Sequence, residues 1–315
     1  MSSGAKQLLQ YAEETSNGVT PTPFARKVLP FTTVSLDQTA SKETSNTITD
    51  TRLAAPSTIT GLEVAGDIEA EFRYGTYDDL IAGAAFNEWQ DNVLTFGGDV
   101  KKSFSILRGY GDIDVYQLFS GVHVNTWNIS VPEQSLITTS FGLMGKSRRA
   151  STTLPAGEVT PDVLNPAYSS VSVGNILIDG ASQAGIACVT AFDFTWDNTM
   201  QIQRCSGDGL DIGALIATSA VGTGSVTIAW SSVAGQDYYE RQFKNQTISF
   251  ELFIRESSEE AGNSYTLTIP TAEITASLPS GGKDEILQAT LEFTVVKDAP
   301  TLSRVPKTVE PPEGE

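Results

Sequence analysis

The sequence predicts a mainly β protein built from two similar units in tandem, each carrying a short helix. Three observations carry that reading. Runs of strict apolar–polar alternation recur along the 315 residues, and a period of two marks a strand with one covered face. Most of the stretch from Gly66 to Lys146 returns between Gly224 and Lys297, with GDIEAEFRYGTYDDL answered by GSVTIAWSSVAGQDYYE and ITTSFGLMGK by LQATLEFTVVK. The match also reaches upstream, because VSLDQT from Val34 lies at the same offset from FDFTWD (from Phe192) as Gly66 does from Gly224. A shared offset across separated blocks reads as a tandem duplication.

In chain order, residues 1–30 have little periodicity, and TPTP at 20–23 disfavours helix. They are expected to form an extended arm that packs on a neighbour. Residues 31–146 are the first unit. Within it, Asp37–Gly61 is long, polar and poor in apolar anchors, which predicts a loop that is either functional or disordered. In Gly66–Tyr74, Asp67, Glu69 and Glu71 alternate with Ile68, Ala70 and Phe72, so three carboxylates line one face of a strand. Thr76 is placed as the N-cap of a short helix through YDDL, with Asp78 and Asp79 in its first turn. Strands follow near 103–107, 116–131 and 136–144. Residues 147–170, with three prolines and two arginines, read as a linker. The second unit is 171–297, and the Pro- and Glu-rich residues 298–315 are expected to be a flexible tail.

Composition narrows the function. Hydrophobic content of 40% suits a globular chain of two domains. A net charge of −18 argues against holding nucleic acid by attraction, which needs clustered Lys and Arg. No run approaches the ~20 apolar residues of a membrane span, so no membrane insertion is expected. The first residues lack the apolar core of a secretory signal, and the cytoplasm of the producing cell is the expected site of folding. Cys188 and Cys205 give no disulfide framework and are expected to be a buried pair.

Catalytic chemistry has little to stand on. His123 is the single histidine and falls in a strand, too little for a triad or a multi-histidine metal site. GYGDID (109–114) and GDGLDIG (207–213) lack the spacing of calcium loops and read as turns. No phosphate loop or dinucleotide fingerprint occurs, so no catalytic, cofactor or metal residues are assigned.

The blocks Val64–Leu80, Lys102–Tyr110 and Phe141–Lys146, with the opening Pro23–Leu36, resemble the major tail tube proteins of long, non-contractile-tailed bacteriophages. The resemblance covers the chain up to Lys297, here in duplicated form. It implies β-sandwich or partial-barrel domains, each with a flanking helix, whose inner strands join an oligomeric β-barrel. It also implies a virion location after assembly in the host cytoplasm. The partners implied are other copies of the chain, a tape-measure protein and passing double-stranded DNA in the lumen, and tail terminator and distal tail proteins at the ends. Two copies per chain make a ring of three chains the leading expectation, with a ring of six as the alternative. Four inner strands per unit would give about 24 strands and a barrel roughly 45–50 Å across.

Within that frame Asp67, Glu69 and Glu71 are the lumen-facing candidates, and the second copy, with Ser225, Thr227 and Ala229 there, is expected to be a neutral sector. Thr44, Asn46, Thr49 and Arg52 in the first loop are the inter-ring candidates, with Ser206, Asp208 and Asp211 as their counterparts in the second. A two-domain adhesin for a host carbohydrate is the alternative function. It would expose aromatic residues on loops, whereas Trp127, Trp196 and Trp230 fall in strands.

Overall fold

The structure is a computed structural model and describes residues 3–48, 50, 52–183, 188–207, 209–230, 233–256, 262–279 and 282–307. The first half contains β1 (Gln7–Glu13), β2 (Arg26–Val28), β3 (Thr33–Val34), β4 (Asp37–Thr44), β5 (Ser57–Glu71), α1 (Asp78–Ala85), β6 (Val93–Thr95), β7 (Phe104–Tyr110), β8 (Val115–Val131), β9 (Thr138–Gly145), β10 (Ser147–Ser151) and β11 (Val159–Thr160). The second contains β12 (Val173–Ile178), β13 (Ala181–Ser182), β14 (Val189–Asp197), β15 (Gln201–Gln203), β16 (Ala214–Ile216), β17 (Val221–Ala229), α2 (Val233–Arg241), β18 (Ile248–Arg255), β19 (Ser264–Ala276), β20 (Gln288–Val295) and β21 (Thr301–Val305).

Antiparallel pairing orders the first half as β4–β5–β9–β8 and the second as β14–β17–β20–β19. Strand β8 also pairs with β14, so eight neighbouring strands form one ladder across both halves. The long strands β8 and β19 then bend into further pairings, β8 with β7, which in turn pairs with β1, and β19 with β18, which in turn pairs with β12. Side chains from the covered face of the ladder, including Ile68, Phe141, Trp127, Phe194, Val226 and Leu291, are buried in one continuous core. The sheets do not close into a barrel.

The two halves repeat each other in register as well as in order. Val34 opposes Ile68 as Phe192 opposes Val226, and Glu43 opposes Thr58 as Gln201 opposes Ile216, each partner displaced by the same 158 positions (34 to 192, 43 to 201). Bulges coincide too: the step from Phe104–Val122 to Ile106–Phe119 is matched by that from Ile248–Ala272 to Phe250–Ile269. A one-residue slip would turn every side chain to the wrong face, so register is tightly held where one face is buried. Helix α1 is followed by Phe86 in the left-handed region, and the short helical stretch after α2 is followed by Asn245 likewise (φ 51° and 49°). Gly66 is required where β5 meets the β3–β4 junction, since a Cβ there would lie 2.6 Å from the Leu36 backbone at a φ of 148°.

Several expectations need correction. The arm at 1–30 contains β1, which pairs with β7 of its own chain, because Leu9 and Tyr11 bury their side chains in the core. Asp37–Gly61 is not an irregular loop but mostly the β4–β5 hairpin, its polar sequence reflecting exposure. The stretch 147–170 includes β10 and buries Tyr168, whose N–H bonds the Phe72 carbonyl at 2.9 Å. After residue 297 the chain forms β21, paired with β19 and with β6 of the first half. Arg304 on β21 pairs with the buried Asp78 carboxylate and lies 4.4 Å from the Trp89 ring centre. Thr76 does not cap α1; its hydroxyl bonds Asp162, and Tyr77 stands at the N-cap without a side-chain bond. Cys188 and Cys205 are both free and exposed, since neither falls on a covered strand face.

Candidate assembly surfaces

The register of the eight-strand ladder fixes which side chains share its open face. On β5, Asp67 and Glu69 are exposed and Glu71 is half-buried, held by Arg73 at 2.7 Å. Across β9 they face Gly142, Ser140 and Thr138. The same face continues through Thr126, Asn128 and Ser130 of β8 to Asp197, Thr195 and Asp193 of β14. It then passes Val221, Thr223 and Ser225 of β17, Thr294 and Glu292 of β20, and Glu273 and Thr275 of β19. Asp37, opposite Ala65, adds another carboxylate at the β4 end. None of these positions carries Lys or Arg.

The expected neutral sector is therefore corrected. In the second half, Ser225 of β17 lies between Asp193 and Glu292, Asp197 opposes Val221 and Glu273 opposes Thr294 further along the same face, while Thr227 lies between Ala191 and Thr290. A shallow depression of about 320 Å³ lies between Asp193, Glu273 and Glu292. Reading β5 against β17 alone missed these carboxylates. Asp193 and Asp197 sit in FDFTWD, Glu292 in LEFTV and Glu273 in TAEIT, and combining these strands needed the pairing order. Among the described residues no group of His, Cys, Asp or Glu is placed to hold a metal ion.

The inter-ring candidates gather at one end. Thr44, Asn46 and Arg52 are exposed on the β4–β5 hairpin, and Ser206 and Asp211 are exposed on the segment between β15 and β16. Thr49 and Asp208 lie outside the described residues. The two hairpins touch: Leu62 N–H donates to the Leu210 carbonyl at 3.1 Å, and Arg204 Nη2 donates to the Leu62 carbonyl at 2.9 Å. Ile48 and Leu53 near the tip are 98% and 82% exposed. At the opposite end of β5, where Thr32 N–H bonds the Glu69 carbonyl, a cavity of about 540 Å³ is lined by Leu9, Leu29, Pro30, Phe31 and Leu164.

Among the described residues, the ladder's edge at Leu36 and the end of β19 at Ala276 each meet a side chain instead of a neighbouring strand. Ser35 N–H bonds the Asp67 carbonyl, so the adjacent Leu36 directs its backbone groups outward, where Arg108 Nη1 donates to its carbonyl at 3.0 Å. On β19, Val296 N–H bonds the Thr271 carbonyl, which turns the backbone of Ala276 away from β20. There the Gln242 amide takes both groups: Nε2 donates to the Ala276 carbonyl at 3.1 Å and Oε1 accepts its N–H at 3.3 Å.

His123 lies far from these surfaces in chemical character. It is 2% exposed, its Nδ1 sits 2.8 Å from the Lys102 carbonyl, and its Nε2 is buried without a partner. Burial pushes its pKa below the ordinary histidine value.

A search among curated proteins found no match. The family model described as phage tail tube protein matches residues 4–295, nearly the whole chain. With its β-rich architecture, the chain belongs to the phage tail tube protein family.

Proposed function

We propose that this chain is the repeating subunit of a phage tail tube in which two tandem units per chain act as two sectors of each ring. The observation that carries the reading is the eight-strand ladder, with four strands from each half, one greasy face, one acidic face and, among the described residues, no strand paired outside Leu36 or Ala276 at its lateral ends. Three chains would supply 24 strands. At ~4.8 Å spacing and ~40° tilt these close into a barrel roughly 48 Å across, wide enough for a duplex after side chains are subtracted. Six chains contributing all their inner strands would double that width.

The acidic face then lines the channel. DNA carries about one charge per 1.7 Å of axis, so basic walls would hold it by counterion release, whereas carboxylates repel it over roughly a Debye length of ~8 Å. The subunit works as a conduit and carries no catalytic role. The β4–β5 hairpin at one end and the apolar cavity at the other suit a head-to-tail contact, which does not close and so builds a filament. A tape-measure protein and DNA would occupy the lumen, with terminator and distal proteins at the ends. An adhesin is disfavoured by the burial of Trp127 and Trp196. Negative-stain microscopy of concentrated protein tests the proposal: rings or tubes are expected, and a field of monomers at every concentration would contradict it.

A further inference from the structure

We propose that the seam between the two halves is the template for the joint between chains. In that joint the outer edge at Thr275–Pro279 receives Ser35–Thr39 of a second copy, antiparallel, with Asp37 opposite Ser277. Gln242 holds the place of the incoming strand until it arrives. The inference rests on the tube reading and adds to it the edges, the register and the cap.

The register follows by transposition. Residues 193–197 of β14 correspond to 35–39 through the 158-position offset already seen in their pairing with β17 and β5. On the other side, Ile68 opposes Phe141 and Trp127 opposes Phe141, while Val226 opposes Leu291 and Ala276 opposes Leu291. Trp127 therefore corresponds to Ala276, and Ile129 to Leu278. The internal seam pairs Trp196 with Trp127, Phe194 with Ile129 and Thr195 with Asn128. Moved to the free edges, these become Gln38 with Ala276, Leu36 with Leu278 and Asp37 with Ser277.

Four features fit that joint. Asn198 N–H bonds the Asn125 carbonyl, so Trp127 presents its backbone to β14; its counterpart Ala276 presents the same groups outward, and the Gln242 amide occupies both. Leu278 is 61% exposed, whereas its counterpart Ile129 is 1% exposed beneath the seam. Pro279 has no N–H to offer, and its counterpart Ser130 directs its own away from β14, so proline removes no bond from the joint. On the receiving strand, Leu36 is fully buried and Arg108 donates to its carbonyl, so this guanidinium covers that edge as the Gln242 amide covers Ala276, and both move aside when the joint forms. An open strand edge invites unwanted pairing, and a side-chain amide across it is a removable guard.

Cysteine cross-linking in a C188S/C205S background reads the register. Asp37→Cys with Ser277→Cys would be a directly opposed, non-hydrogen-bonded pair at a Cα separation of about 4.5 Å, inside the span of a disulfide. Asp37→Cys with Thr275→Cys would be a diagonal pair about 7–8 Å apart. On mild oxidation of assembled tubes, the direct pair is expected to cross-link chains about tenfold faster than the diagonal pair, and monomers not at all. Tubes in which the direct pair has no advantage would overturn the inference while leaving the tube reading intact. A cysteine-free parent that never forms rings or tubes would overturn the reading beneath it. Gln242→Ala, which removes the guard, is expected to shorten the assembly lag about fivefold; an unchanged or longer lag would overturn its role as place-holder.

Discussion

Trp127 and Trp196 stand opposite each other on adjacent antiparallel strands, one from each half of the chain. Phe96 stacks on the first at 5.3 Å and tilts against the second at 5.4 Å between ring centres. Both indoles are satisfied, Trp127 by the Thr139 hydroxyl at 2.9 Å and Trp196 by Asn198 at 3.1 Å. The halves thus share one core rather than meeting as separate bodies. Trp127→Ala is expected to cost about 3–5 kcal/mol, read as a lower denaturant midpoint with both halves still unfolding together. Two separate transitions in the wild type, or a loss below ~1 kcal/mol, would contradict a shared core.

The acidic face gives a second test. A single Asp67→Cys substitution in a protein lacking Cys188 and Cys205 should react with a bulky maleimide-polymer as a monomer. In assembled tubes a lumen position should slow that reaction at least about tenfold, a size-exclusion effect expected of a closed β-barrel. Equal labelling of monomers and tubes would place the carboxylates on the outer wall.

The hairpin is tested by shortening. Replacing residues 45–56 with a two-residue Asn-Gly turn keeps the β4–β5 register and removes the exposed tip with Ile48 and Leu53. Thermal stability should change little, because Ile48 and Leu53 at the tip are almost fully exposed. Rings without long stacks are the expected product under the microscope, and tubes of normal length would dismiss the hairpin as the inter-ring contact.

His123 makes stability depend on pH. The Lys102 carbonyl can only accept, so Nδ1 holds the proton and Nε2 is the buried, unpartnered lone pair. Its folded pKa is depressed by burial, opposed by Glu14 among others. A depressed histidine adds stability that is present above the unfolded pKa of ~6.5 and is lost as pH falls through the folded value. Wild type should therefore lose up to ~1.4 kcal/mol per pH unit from this group below that point, while His123→Leu should lack this component. Wild-type stability minus that of His123→Leu should therefore decrease from pH 7.5 to pH 5 in denaturation curves. Parallel profiles would sink the assignment.

The strand face of Asp67, Glu69 and Glu71 was legible because alternation is a local property. The shared 158-position offset was legible because spacing is read directly along the chain, and the β3–β5 and β14–β17 registers keep it. What stayed hidden needed distant partners. Nothing in VSLDQTASKET shows that it folds back on β5, since its outward residues are solvated and its inward ones, Val34 and Leu36, are few. Residues after 297 looked like a tail because β21 gains its place from β6, about 200 residues earlier. Gln242 reads as any polar helix residue until Ala276 is beside it. Likewise the acidity of the second sector is spread over β14, β19 and β20, one or two carboxylates each, and becomes a surface only when registers are stacked.

The central claim, two equivalent sectors per chain closing a ring of three, is tested most directly by native mass spectrometry of an isolated ring. Three chains of 33.6 kDa give about 101 kDa, the expected mass. A ring of six chains, about 202 kDa, would contradict it and move the second unit out of the channel wall.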